Sequence, residues 1–225
     1  MTTQLTISTK DAATNILAAA TDAGDPLLKF KKGDYRIRDE IVPLGTQFLA
    51  HPGSWVKAWV KFVDGIVIDR RLYRQAAGEQ PAKREEIDDL DPAKWPNGND
   101  GKPLDPWVLQ DYLPLQNIKT DEVVVFVTQS VGGRIAVAKL CSAWAKREKS
   151  GQHGQPIVKL STAELNTKNF GSVPRPYFEI CNWEEGAKPN PDQGELVAAT
   201  PVQPNSKKKA AAVSKHADMD DEIPF

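Results

Sequence analysis

A chain can build a core only where it carries large apolar side chains, and here the aromatic residues set that limit. Residues 27–183 hold every Phe, Trp and Tyr of the 225-residue chain except Phe225. Between residues 184 and 219 there is none, while Pro, Ala, Lys, Gln and Asn accumulate. Such a stretch buries too little apolar area to offset the entropy of ordering it, so a disordered C-terminal tail is expected. Residues 1–26 are rich in Ala and Thr, with one short apolar patch at 16–20, and read as a loose arm or a short helix. The expected organisation is an N-terminal arm (1–26), one folded body (27–183), a tether (184–217) and an acidic tip (218–225). A body of about 150 residues can bury close to 70% of its unfolded surface, enough for one domain.

Lys+Arg 29 against Asp+Glu 30 gives a net charge of −1, which excludes a binder that works by overall positive charge. Within residues 27–185 bases exceed acids by two, and Glu85, Glu86, Asp88, Asp89 and Asp91 crowd one loop. The rest of the body is mildly basic. Cys141 and Cys181 cannot form a disulfide scaffold, and with three scattered His they make no zinc pattern. No apolar run approaches the ~18 residues of a membrane span, and no basic-then-apolar leader is visible. A soluble cytoplasmic protein is expected, without membrane association, metal or cofactor.

Period-2 alternation dominates the body. Candidate strands are 27–38, 44–50, 54–63, 66–74, 123–129, 156–161 and 176–183, and one helix is expected over 134–148. The segment 75–121, rich in Pro, Asp and Gly, shows little regular pattern and reads as a long loop of functional type. Several strands, one helix and two further strands match the order of a five-stranded Greek-key barrel. The expected fold is therefore mainly β with one principal helix: an OB-like five-stranded barrel with extra strands and a long loop. A mixed α+β sheet is the competing reading.

Residues 54–63 carry two patterns at once. In a strand, Val56, Ala58, Val60 and Phe62 share one face and suit a core, whereas Trp55, Lys57, Trp59 and Lys61 share the other. Aromatics interleaved with cations are what a single nucleic-acid strand requires, because its bases stack on rings and its phosphates need positive charge. Stacking contributes roughly 1–3 kcal/mol per base. The competing reading packs the tryptophans under a loop and lets the lysines reach past them to water. Two neighbouring segments repeat the mixture: Tyr35 among Lys31, Arg36 and Arg38, and Tyr73 among Arg70, Arg71 and Arg74. Asp64 and Gly65 mark a hairpin turn that places Tyr73 beside the tryptophans.

Signals for catalysis are thin. Thr128, Ser130, Gly132 and Gly133 form a strand–turn–helix sequence, but a nucleophile elbow needs Gly where Thr128 stands. No pattern ties His51 or His153 to Ser130. Backbone N–H groups near Gly132 and Gly133, with Arg134, offer a phosphate site at the helix start, against a plain tight turn with an N-cap. The acids at 85–91 read as a solvated surface rather than as metal ligands. Asn97, Gly98, Asn99, Asp100 and Gly101 lack the alternating oxygen spacing of a calcium loop. A binding protein is expected, not an enzyme.

The tip reads Asp218, Met219, Asp220, Asp221, Glu222, Ile223, Pro224, Phe225. Its aromatic end fits a docking peptide: Phe225 fills an apolar pocket, a carboxylate pairs with a cation at the rim, Pro224 limits the entropy lost, and the acids steer the approach. This order closely resembles the acidic C-terminal tip of bacterial single-stranded DNA-binding proteins, in which acids precede Ile-Pro-Phe. The resemblance implies that Asp218, Asp220, Asp221, Glu222, Ile223, Pro224 and Phe225 recruit replication, recombination and repair proteins, with Pro224 and Phe225 as anchors. The tether also resembles that family's linker. The body is longer than in the bacterial tetramers and is closer in layout to phage-encoded single-strand binding proteins. The expected function is therefore coating of single-stranded DNA in a bacterial host cell, of phage or mobile-element type. Two alternatives remain: an adaptor or decoy that carries the tip without binding DNA, and a recombination nuclease or annealing protein bearing it.

Overall fold

The computed structural model describes residues 26–98, 101–168 and 171–185. The arm up to residue 25, the tether from residue 186 and the whole of the tip lie outside the described residues, as do Asn99 and Asp100. The described chain is mainly β with one helix. In order it forms β1 (Leu27–Lys31), β2 (Asp34–Ile37), β3 (Glu40–Val42), β4 (Gln47–Ala50), β5 (Val56–Val63), β6 (Ile66–Arg74), β7 (Trp107–Asn117) and β8 (Val123–Thr128). The helix α1 (Val131–Lys149) and the long hairpin of β9 (Gln155–Thr167) and β10 (Gly171–Glu184) follow.

All ten strands belong to one sheet, with the order β10-β9-β4-β7-β8-β1-β2-β3; β5 pairs with β7, and β6 is added on β5. Every pairing is antiparallel except that of β1 with β8. The sheet is curled into an open half-barrel. Tyr35 on β2 reaches residues near the other end of that order: its hydroxyl donates to the Ser161 carbonyl at 2.9 Å and accepts from the Tyr177 N–H at 3.0 Å. The curled face encloses the main core, where Phe126 meets Phe178 edge-on at 5.0 Å and Val137, Leu140 and Cys141 of α1 close one end. A second cluster on the other face joins Val56, Ala58 and Val60 to Tyr112 and Val125. The apolar side of β5 expected from alternation is thus buried as expected.

Helix α1 starts three residues earlier than its apolar periodicity indicates. Ser130 is the N-cap, its Oγ accepting from the Gly133 N–H at 3.0 Å. Two glycines are required there by contact rather than by backbone freedom. A Cβ on Gly132 would lie 2.7 Å from the Arg175 Cβ, and one on Gly133 would lie 1.9 Å from the Thr128 Oγ1.

The main correction to the sequence expectation is β7. Residues 107–117 do not belong to an irregular loop; they form a central strand paired with β4, β5 and β8. Pro114 is tolerated because of where it falls. The carbonyl of Pro114 accepts from the His51 N–H at 3.1 Å, at the short helical turn Pro52–Ser54 between β4 and β5. Its imide nitrogen therefore faces the break between two partner strands, where no donor is needed. The expected strand 27–38 is likewise two strands, separated by a turn with positive φ at Lys32 and Gly33.

Candidate functional site

Where β6, β5 and β7 lie side by side, register brings their residues into rows on one face. Tyr73, Lys57 and Asp111 form the first row, Arg71, Trp59 and Leu109 the second, and Asp69, Lys61 and Trp107 the third. Residues directly opposite stand about 5 Å apart. This face continues the one that lines the main core at Leu113 and Phe126. The interleaved residues of β5 therefore share a face with the interior of the curl.

Beside the first row, Trp55 donates its indole N–H to the Asp111 Oδ1 at 2.8 Å, and the Lys57 Nζ lies 5.3 Å from the centroid of the Trp55 ring. Asp111 is 1% exposed. Its Oδ2 has no hydrogen bond, although the Arg134 Nε stands at ion-pair distance, 3.6 Å. Burial raises the Asp111 pKa above the usual carboxylate value, offset in part by the Trp55 bond and the charges of Lys57 and Arg134.

The second and third rows are covered by residues 82–95. Trp59 donates to the Ala82 carbonyl at 2.9 Å, and Lys61 pairs with Asp89 at 2.7 Å. Asp89 also accepts from the Trp107 indole at 2.9 Å, and Asp88 pairs with Arg71, whose guanidinium lies 4.9 Å from the Trp107 ring centroid. The Lys61 and Trp107 hydrogen bonds hold the Asp89 carboxyl below its usual range. Ile87 inserts as an apolar anchor and is 2% exposed. Arg84 ties the segment down with two bonds to Asp105, at 2.6 and 2.8 Å, and one each to the Asp88 and Asp89 carbonyls, both at 3.0 Å. The acids expected as a solvated surface are, at Asp88 and Asp89, partners of the very cations singled out on β5 and β6.

The remaining sequence candidates divide between faces. Arg70 and Arg74 pair with Val60 and Val56, so they belong to the opposite face from Arg71 and Tyr73. Arg70 is half-buried with its Nε unpartnered, and Arg74 is exposed. Lys31 and Arg36 alternate with the inward Leu28, Phe30 and Tyr35 and so also take the outer face; Arg36 pairs with Asp34 at 3.1 Å. Arg38 sits in the β2–β3 turn with φ 55°. Two strands separate β1 from β5, a distance of about 14 Å at 4.8 Å per strand. Tyr35 requires a correction: it is 0% exposed, bonded through its hydroxyl to β9 and β10, and offers no ring face to a base. The segment around Tyr35 does not join the tryptophan strand; one compact face on β5, β6 and β7 forms without it.

The helix start is also occupied. The Gly133 N–H goes to the Ser130 Oγ and the Arg134 N–H to the Ser130 carbonyl, while the Arg134 side chain turns to Asp111. That geometry favours the N-cap over a phosphate cradle. His153 pairs with Glu148 at 2.8 Å, and His51 has its pKa lowered by burial. Asp111 and Trp107 escaped the sequence reading because β7 did, whereas Asp88 and Asp89 were read as a solvated surface and not as partners of Arg71 and Lys61. Among the described residues no three potential metal ligands cluster, and no helix is long and apolar enough to cross a membrane. Comparison with family profiles, characterised proteins and solved structures returns no match.

Proposed function

We propose that this chain binds single-stranded DNA along the β5–β6–β7 face and recruits replication, recombination and repair proteins through residues 218–225. The observation that carries the reading is the register that sets Lys57, Trp59, Lys61, Arg71 and Tyr73 on one face of the curled sheet, with Trp55 bonded to Asp111 beside the first row. Rings and cations in neighbouring rows suit a strand whose bases stack while its phosphates pair. The topology supports an OB-like description. Taken as one strand bent at residues 52–54, β4 and β5 precede β7, β8, α1, β9 and β10, with β4 pairing both β7 and β9. That is a five-strand Greek key with its helix between the third and fourth strands, and β1, β2, β3 and β6 are additions. The reading is of a binding protein rather than an enzyme, and its tip rests on the order of acids, Ile223, Pro224 and Phe225.

Titration of the full chain with oligo-dT, followed by Trp fluorescence at several salt concentrations, tests this. Saturable quenching is expected, with affinity falling as salt rises. Tyr73→Ala should weaken binding by roughly 1–3 kcal/mol, and Lys57→Ala should reduce the slope of log K against log salt by about 0.7. Absence of saturable binding would sink the reading. It would favour the adaptor or decoy instead, a reading supported by the cover already lying over Trp59 and Lys61.

A further inference from the structure

We infer that residues 82–95 are a strap that imitates the DNA backbone, and that single-stranded DNA displaces it from the second and third rows. This rests on the proposed function and deepens it, naming how the same site is regulated. The two acids that touch the sheet are consecutive, and each sits on a different cation: Asp88 on Arg71 of β6 and Asp89 on Lys61 of β5. Those are the positive groups that phosphates would engage. The same segment blocks the indole edges, Trp59 through the Ala82 carbonyl and Trp107 through Asp89. A negatively charged ligand therefore meets the second and third rows only by replacing the strap.

Three features make the strap replaceable rather than a fixed part of the body. Its pairs are half-exposed, the Asp88 side chain at 77% and that of Asp89 at 34%, and such pairs exchange for equivalent ones at little net cost. Asp89 holds φ 62°, a left-handed conformation that L residues adopt reluctantly. Leu90, next in sequence, is 53% exposed, so the segment does not continue into the core. Arg84, held by Asp105, and the buried Ile87 keep the strap tethered, and Asp88 and Asp89 swing out once the Arg84 bonds to their carbonyls break. Phosphates then take over Lys61 and Arg71, and Trp59 is freed for a base. The strap thus screens the groove from weaker polyanions and opens for a strand able to fill both rows.

The test compares three full-length proteins by oligo-dT titration: wild type, Asp88→Asn/Asp89→Asn, and Glu85→Gln/Asp91→Asn. The last removes the same charge from the same segment without touching the sheet, and Asn at 91 retains the cap of the Pro92–Lys94 turn. The strap variant should bind about tenfold more tightly, and the control should change less than about twofold. Equal tightening in both would reduce the effect to general charge and overturn the inference. Hydrogen exchange of the wild type keeps the question open to refutation if the strap variant fails to fold. Amides of 82–95 should exchange faster with oligo-dT bound, and unchanged or slower exchange there overturns the strap. Wild type that does not bind oligo-dT at all refutes the DNA-binding reading itself, and the strap falls with it. Binding with an unmoved strap refutes the strap alone.

Discussion

Asp111 holds a carboxyl in a place that disfavours its charge. Burial is the largest influence and raises its pKa; the Trp55 bond, Lys57 and Arg134 pull the other way without cancelling it. The folded carboxyl keeps its proton to higher pH than the unfolded one, so the folded chain binds more protons between the two values. Stability from this residue therefore falls as pH rises through that interval. Asp111→Asn keeps an acceptor for Trp55 and removes the buried charge. It should raise Tm at neutral pH, with the advantage over wild type shrinking as pH falls into the usual carboxylate range. A lower Tm at pH 7 would show that attraction to Arg134 and Lys57 outweighs burial. Asp89 has the opposite sign. Its lowered pKa means that its contacts contribute above the usual carboxylate value and are lost as pH falls through the lowered one.

Among the elements, the junction of β8 with α1 leaves least room. Gly133→Ala places a methyl group against Thr128, and about 1–3 kcal/mol of destabilisation is expected from overpacking. Thr128→Ala in the same chain removes Oγ1 and Cγ2 and should restore part of it, as a double-mutant cycle of melting curves can read. Full additivity would mean that the two residues do not meet. This junction also illustrates what could be read in advance. Strand β6 was legible to its ends, and the core side of β5 was legible too, because each keeps one period. The body of α1 was legible for the same reason, but its first turn was not: Val131, Gly132 and Gly133 carry no amphipathic signal, and only the cap marks it. Strand β7 was illegible because Tyr112, Leu113, Pro114 and Leu115 are buried on both sides and so do not alternate. The candidate site was legible one strand at a time. Which rows form, and that Asp88 and Asp89 settle on Arg71 and Lys61, follows from pairings between distant segments that no local pattern encodes.

For the molecule as a whole, Tyr35 is the tie across the open side of the curl. Its hydroxyl satisfies the Tyr177 N–H and donates to the Ser161 carbonyl. Tyr35→Phe keeps the ring contacts with Phe30 and Phe126 but removes the acceptor of the Tyr177 N–H and the donor to the Ser161 carbonyl. A loss of about 1–3 kcal/mol in urea unfolding is expected, with faster exchange of the Tyr177 amide. An unchanged midpoint would mean that packing alone closes the sheet.

That tie has a consequence for biosynthesis. Tyr35 lies 126 residues before Ser161 and 142 before Tyr177, and β1 can pair with β8 only once residues 123–128 have been made. At roughly 5–20 residues per second, translation takes about 7–30 s to bring Tyr177 out after Tyr35. A two-stranded hairpin such as β1–β2 has little stability alone in water, so the first strands made wait, with Leu28 and Phe30 bare, for the last. During that interval the nascent chain presents its apolar N-terminal strands to whatever is near the ribosome exit, and chaperones that hold extended apolar segments have their opportunity there.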